Sequence, residues 1–438
     1  MTFLIILPNT LFKKKYIPKF ITHLVLFEHP HYFTRYKFNK KKLVLHRASM
    51  VCYKDYLKKY NYSVTYVNHN KSVIQYTKKK YYMFDCIDKL KIKKNINCTV
   101  IESPNFLLKL HDYETYRKKT DKFSFNGFYT YAKKVNNSII QDVKSTDKQN
   151  RKKPKRAIKS SLPKINDSEY SKYVKPAINY VEKHFKTNYG NTISKFIYPV
   201  SFKSAKRYLT HFIKNKFNKF GDYQDYIDKN DQFTVHSILS SSINIGLINP
   251  TEIIKTILPL KNKIKINNYE GYIRQLYWRE YQRFTFIYYF CKLSNTKQIY
   301  YKTGTKNLSK KWYTGNLKIK IIDNTINKAF DTAYLHHIDR LMMIGNFMNL
   351  YGIKPLQGFK WFMEFSIDSY EWVMYQNVLD MVFFITGGKT MRRAYIASSN
   401  YLKKMSNYND KKSLEQIQEL YDKFKKINKI NSYGFKKK

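Results

Sequence analysis

The first hundred residues alternate short, nearly continuous apolar runs with amphipathic stretches. The runs at 3–7, 24–27, 63–67, 83–84 and 99–101 are rich in β-branched, leucine and aromatic residues and bounded by polar or turn-forming ones, which predicts buried strands. Between the second and third runs, HRASMVCYKDYLKK at 46–59 repeats its apolar positions at helical spacing. Strand, helix and strand in turn predict a parallel sheet covered by helices, an α/β Rossmann-like domain. No GxGxxG follows any of these strands, so the pattern does not predict a dinucleotide clamp here.

The periodicity disappears over 141–164, QDVKSTDKQNRKKPKRAIKSSLPK, where Lys, Arg, Ser and Pro concentrate. This predicts an exposed basic linker, spanning 136–166 with its flanks, that acts as a solvated tether or as an additional phosphate contact. Beyond it the pattern turns helical, with segments at 170–186, 201–219, 250–258, 269–293, 322–351 and 358–377. The expected architecture is therefore an α/β domain over 1–135 and an all-α domain over 167–438.

Composition sharpens this picture. With 43% hydrophobic and 17% aromatic residues among 438, the chain is too apolar for a disordered polyelectrolyte, yet 82 Lys+Arg against 31 Asp+Glu leave a formal charge of +51. Such a field suits a phosphate backbone as partner, although a bias toward Asn, Ile and Tyr accounts for part of the excess. The four cysteines, Cys52, Cys86, Cys98 and Cys291, show no CxxC spacing, which argues against a disulfide scaffold or zinc ribbon and suits a reducing, intracellular setting. The apolar run near Met1 lacks a charged leader and a small-residue cleavage site, so it reads as a strand and not as a secretion signal. No uninterrupted run of eighteen apolar residues predicts a membrane span.

Three stretches carry candidate chemistry. HSILSSSINIG at 236–246 sets small hydroxyls and free amides near a helix start, which suits a pyrophosphate or a simple serine cap. Trp278, Arg279 and Glu280 place an aromatic, a cation and a carboxylate on one piece of helix, where Glu280 could equally pair internally with Arg279 or Arg283. His336 and His337 precede an apolar helix face; adjacent residues point ~100° apart, a poor metal pair, and no metal site is expected.

These stretches occur with others in a fixed order: EHPHYFT at 28–34, KLVLHRASM at 42–50, HHIDRLMMIGNF at 336–347, DSYEWV at 368–373, GGK at 387–389 and YIASSNYLKKMS at 395–406. Together they resemble the photolyase/cryptochrome family, most closely the bacterial branch that usually carries an iron–sulfur cluster and includes prokaryotic (6-4) photolyases. The resemblance implies an antenna domain, a connector and a helical domain holding FAD, which passes an electron under blue or near-UV light to a pyrimidine dimer flipped from damaged DNA.

Position by position, the resemblance assigns Tyr223, His236, Ser237, Leu239 and Ser240 to the FAD-phosphate segment, with Ser241 standing where many members have Pro. Arg340 and Asp368 would flank the isoalloxazine ring, and Asn377 and Tyr395 would add contacts. Met374 stands near flavin N5, where relatives place Asn or Glu. Glu280 would hydrogen-bond the flipped lesion, and His336 and His337 match the paired histidines of the (6-4) branch, suited to proton transfer near neutrality. Trp278, Trp312, Tyr313, Trp361, Tyr370 and Trp372 are electron-transfer candidates, each equally explained by core packing. The branch's cluster cysteines should fall at Ile321, Asn409, Lys412 and a later position; none of these is cysteine, so no iron–sulfur cluster is expected. A lumazine- or flavin-type antenna chromophore is implied without mapped contacts. The leading expectation is a monomeric (6-4) photolyase acting on UV-damaged DNA. Open beside it are a cyclobutane-dimer photolyase, a cryptochrome-like photoreceptor, which Met374 favours, and a light-independent nucleic-acid-binding protein with a degenerate flavin site.

Overall fold

The computed structural model describes residues 2–71, 80–90, 98–137, 143–192, 194–292 and 300–429. The predicted strands form as β1 (Thr2–Ile6), β2 (His23–Phe27), β3 (Ser63–Val67), β4 (Lys80–Phe84) and β5 (Cys98–Ile101). They build one parallel sheet in the order β3-β2-β1-β4-β5, with Ile5 level with Val25 on one side and Met83 on the other. β1 and β2 are buried at every residue but the first, as a parallel sheet covered on both faces requires; β3 and β5, at the edges, are half-exposed.

The first long helix, Lys40–Lys58, starts six residues ahead of its apolar signal because the Asn39 side chain caps it, accepting from the Lys41 amide at 2.9 Å. Its opening lysines look solvent-facing in sequence, yet Lys42 is buried and donates to the Ser369 carbonyl of the helical half.

The basic connector is largely exposed and irregular apart from a single 3-10 turn at Asp147–Gln149, but it is not a free tether. Thr146 donates from its amide and hydroxyl to Glu270 at 3.0 and 2.6 Å, Asp147 receives Arg274 at 2.6 Å, Lys152 reaches Asp222 at 2.8 Å, and Ser160 bonds Asp231. The helix Phe125–Val135, on the sheet side of this connector, packs on the long helix Ile266–Tyr288 through Phe125 stacked on Trp278 at 3.6 Å.

Two helices expected to be continuous are broken. The 322–351 pattern resolves into Lys320–Thr332, a turn through Ala333 at φ 58°, a π-helical stretch Asp339–Gly345 and Asn346–Tyr351. The 358–377 pattern resolves into Pro355–Phe365, a loop and Glu371–Met374, which continues as π-helix over Tyr375–Val382. The two breaks partner each other, since the Ile367 amide donates to the Ala333 carbonyl at 2.9 Å. Periodicity carries no sign of this because the compensating bond is tertiary. The 201–219 segment likewise divides into Phe202–Asn215 and Phe217–Tyr223.

The sheet and the helical half meet through buried polar groups. Glu28, at the end of β2, accepts from Arg47 at 2.7 Å, Tyr66 at 2.8 Å, the His69 amide at 3.2 Å and Tyr180 at 2.8 Å. Tyr180 sits on Lys175–His184, past the connector. Nearby, His31 Nε2 lies 3.7 Å from both Asp88 and Glu371. These three are the one group with metal-like donor spacing among the described residues. Arg35 Nη1, at 3.1 Å from His31 Nδ1, presents a donor to that nitrogen, so the ring's proton belongs on Nε2 facing the carboxylates.

Burial alone would raise the Glu28 carboxyl, but hydrogen bonding with His69 and the charge of Arg47 outweigh it and hold the group down at about 2. A carboxylate depressed by folding stabilises fully above its ordinary pKa, and that contribution is lost as pH falls through about 2. Glu28→Gln should therefore cost on the order of 3 kcal/mol at pH 7. In urea unfolding, the gap to wild type should shrink as the pH is lowered below 4 toward 2.

Candidate functional site

A cavity of about 1840 Å³ opens in the helical half. It exceeds the roughly 300–1,000 Å³ of an ordinary small-molecule pocket. The pinned connector forms one wall, the Ile266–Tyr288 helix another, and the segments around the two helix breaks the floor. His236, Ser237, Leu239 and Ser240 line it from the serine-rich turn. His336, His337, Arg340 and Asp368 line it from the breaks, and Met374, Asn377 and Tyr395 from the C-terminal side. Tyr223 does not line it: Gln224 and Asp225 do, so the expected contact from this helix end falls to its neighbours.

At the centre, Arg340 Nη1 contacts Asp368 Oδ1 at 2.9 Å, while Arg340 Nε donates to the Leu335 carbonyl at 2.7 Å. Asp368 also accepts from Ser240 at 2.5 Å and Ser366 at 2.6 Å. Burial would push this carboxyl up, but the Arg340 charge and these hydrogen bonds keep it below its ordinary value, ionised at neutral pH. Asn244, which the sequence reading passed over inside its own serine-rich motif, donates to the Asp368 carbonyl at 2.9 Å and accepts from Arg279 at 3.0 Å. The turn itself is strained: Ile238, between Ser237 and Leu239, has φ 57°, a left-handed conformation that costs a β-branched residue energy.

The histidines divide into two kinds. His337 is exposed into the cavity, where desolvation by the enclosing walls and, after it, the Arg340 charge lower its pKa to about 4. That departs from the expected titration near neutrality. His336 is buried in the wall, stacked on His236 at 4.5 Å and 11°, with Nε2 at 3.1 Å from Asp339 Oδ2. His236 is fixed between the Gln224 carbonyl and the Thr234 hydroxyl, each at 3.1 Å, and burial lowers it to about 4.

Glu280 is not brought to this cavity. Its carboxylate is fully buried and accepts from the Leu107 and Leu108 amides at 3.0 and 3.2 Å and from Tyr113 at 2.7 Å. The expected lesion contact is thereby replaced by a structural one, holding the loop after β5 to the long helix. Trp278, from the same motif, does line the cavity, stacked on Phe125.

Of the remaining aromatic candidates, Trp361 donates to the Trp312 carbonyl at 2.8 Å and packs 5.3 Å from Phe362, a cavity residue. Tyr313 stacks on Tyr189 at 4.3 Å, Tyr370 bonds His46 at 2.9 Å, and Trp372 meets Phe106 edge-on at 5.5 Å. None of these five lines the cavity. Ile321 is buried in the core with its amide 3.4 Å from Ser413 Oγ, and Asp410 caps the Lys411–Asn428 helix, so two of the segments expected to carry cluster ligands make ordinary packing and capping contacts.

The donor set fits FAD. Ser237 and Ser240 line the cavity at the strained turn, where small hydroxyls beside a helix start suit a phosphate, while Ser241 and Ser242 are buried outside the lining. The Arg340–Asp368 pair supplies a fixed cation further along the same wall, and Lys148, Arg151, Lys389, Arg392 and Arg393 give the cavity a basic lining that the sequence showed only as overall charge.

Comparison with known proteins agrees with this architecture. A bacterial class III photolyase from Agrobacterium tumefaciens superposes with a TM-score of 0.57 at 12% identity, over 97% of this chain and 98% of that one. An archaeal photolyase from Sulfolobus tokodaii, solved with two FAD molecules, gives 0.58 at 13% identity over 92% and 87%. The fold is that of a photolyase. The profile of the deoxyribodipyrimidine photo-lyase-related protein family matches residues 4–198 of this chain. A (6-4) photolyase of Agrobacterium fabrum is 34% identical over 242 residues, 55% of this chain; the match spans 47% of that relative's length.

Glu280→Gln leaves one buried acceptor replaced by a donor facing donors, which costs about 1–3 kcal/mol. It should lower the thermal midpoint while leaving flavin content and DNA affinity of the folded fraction near wild type; a selective loss of lesion affinity would restore the contact role.

Proposed function

We propose that the protein is a light-dependent DNA-repair photolyase acting on a pyrimidine dimer, with the (6-4) photoproduct as its lesion. The observation that carries this reading is a single cavity, large enough for a dinucleotide cofactor and an extruded pyrimidine dimer, in which the Arg340–Asp368 pair and the accessible His337 occur together. The (6-4) photolyase relative supports the lesion choice over the half of its length that is matched.

When bound, reduced FAD supplies a photoexcited electron to the lesion and recovers it afterwards. The chain's own residues do the rest. The serine turn on the cavity wall receives the pyrophosphate. Arg340, immobilised by Asp368 and the Leu335 carbonyl, places a positive charge that favours an anionic flavin. The basic lining draws in the DNA backbone, and Trp278 with Phe125 offers an aromatic wall to an extruded base. His337 meets the lesion as a neutral ring able to donate one N–H. Anionic ligands entering the cavity oppose the Arg340 charge and raise its proton affinity.

The α/β domain serves as the antenna domain in this reading. At its β1/β4 switch point, where open α/β sheets bind ligands, Asn9 bonds Tyr32 and the Cys86 carbonyl while Asn9 Oδ1 stays buried without a donor. A photoreceptor without repair is the second reading. It is favoured by Met374, a thioether on the cavity wall that neither donates nor accepts strongly.

Illumination of purified protein with oligonucleotides carrying one defined lesion decides between these. Repair of (6-4) DNA is expected, and His337→Ala should retain FAD and lesion binding yet lose roughly a hundredfold or more in rate. Repair of cyclobutane dimers alone overturns the lesion choice, and repair of neither, with FAD bound, favours the photoreceptor. Binding to undamaged DNA should weaken steeply with salt, with a log–log slope of about −0.9 per neutralised phosphate. A flat plot would exclude backbone contact as the source of affinity.

A further inference from the structure

The group formed by His31, Asp88 and Glu371 at the seam has no part in the chemistry of the cavity. His31 follows β2, Asp88 follows β4, and Glu371 opens the Glu371–Met374 helix of the helical half, so one donor set draws on both domains. Their side chains are 7%, 1% and 6% exposed. Each carboxylate is tied through one oxygen only. Asp88 Oδ1 accepts from the Trp372 amide at 3.0 Å, and Glu371 Oε1 takes the Tyr36 hydroxyl at 3.0 Å and Arg35 at 2.9 Å. The remaining oxygens, Asp88 Oδ2 and Glu371 Oε2, both face His31 Nε2 at 3.7 Å, too far for a hydrogen bond. Asp88 Oδ2 is moreover buried without any donor from the protein. A carboxylate oxygen left so in a closed seam is costly unless something positive meets it.

We propose that these three side chains hold one divalent first-row metal ion, which fastens the α/β domain to the helical half. With bonds of about 2.1 Å, donors around such an ion stand about 3–3.4 Å apart as neighbours and about 4.2 Å apart when opposite. The 3.7 Å spacings, in a set whose members all lie within 4.8 Å of one another, close onto an ion by small side-chain movements. The outer hydrogen bonds from Trp372, Tyr36 and Arg35 act as a surrounding shell does, holding each carboxylate with a free oxygen turned inward. One imidazole nitrogen with two carboxylate oxygens and no thiolate suits Mn2+, Fe2+ or Zn2+, whereas Ca2+ takes six to eight oxygens.

Two cations beside the group decide how it receives an ion. Lys42 is within electrostatic reach of both carboxylates but donates to the Ser369 carbonyl. Arg35 opposes binding. It presents a donor to His31 Nδ1, whereas a ring that ligates through Nε2 carries its proton on Nδ1. The Arg35 side chain is 46% exposed and already pairs with Glu371 through its other terminal nitrogen, so it turns from Nδ1 without losing that pair. The ring proton then sits on Nδ1 and the ion occupies its place at Nε2, with no change of oxidation state.

This inference does not depend on the repair reading. Full-length, FAD-loaded protein stripped with a chelator and titrated with Mn2+ should bind one ion per chain. Pulsed electron paramagnetic resonance should show a single imidazole nitrogen coupled to that ion, and the thermal midpoint should rise with Mn2+ concentration. Asp88→Asn, which keeps an oxygen for the Trp372 amide, and His31→Gln should each weaken binding by about tenfold or more and abolish that rise. His111→Ala, at the exposed His111–Asp112 pair, should change neither. Arg35→Gln, at a half-exposed position, should tighten binding severalfold, and it decides the matter if a buried variant fails to fold. Absence of stoichiometric Mn2+, a bound ion without nitrogen coupling, or wild-type affinity in Asp88→Asn or Arg35→Gln overturns the proposal.

Discussion

Everything in the cavity depends on the exchange of hydrogen bonds between two interrupted helices. A helix that stops inside a protein leaves carbonyls and amides that need partners. Here the Ala333 carbonyl takes the Ile367 amide, the Leu335 carbonyl takes Arg340, and Arg340 closes on Asp368. Each break satisfies what the other leaves open. Continuous helices through these points would direct His336, His337 and Asp368 along regular faces and remove the floor on which they converge.

The same logic governs the seam between sheet and helices, where buried charge recurs. Lys42, Glu28, Glu270 and Glu280 are all nearly inaccessible, and each is matched by groups from distant parts of the chain. Apolar residues of equal volume could stabilise such a seam as well, but a charge without its partner is costly, so these groups admit few alternative dockings. The orientation of the α/β domain over the flavin-sized cavity is thus set by polar matching, with the apolar core supplying adhesion.

Much of this was legible in sequence where a local rule governs. The strands showed because a covered parallel sheet demands continuous apolar runs, and the predicted site residues on the cavity wall showed because they sit in ordered motifs. What was hidden is tertiary. The lysines opening the first long helix read as solvent until Ser369 supplies a carbonyl 327 positions away. Glu280 read as a site residue because its motif neighbours are Trp278 and Arg279; its partners, the amides of Leu107 and Leu108, lie in a loop that no periodicity locates. The paired motif favours His337 over His336 for the proton role and expects at least one packing histidine, and only burial distinguishes the ring open to the cavity from the one backed by Asp339. The connector's composition described its exposure but not its anchors, because Glu270 and Arg274 lie over a hundred residues further on.

The seam also has a consequence for how the chain is made. Asn39 donates to the Phe330 carbonyl and its amide to Glu364, so the surface that the sheet domain must cover is completed only when the last quarter of the polypeptide has emerged. Until then Lys42 and its neighbours stay hydrated on a nascent half-protein. Those charges, together with the basic coat, keep that half from sticking to its copies on neighbouring ribosomes, so the features that fix the finished geometry also protect the unfinished one.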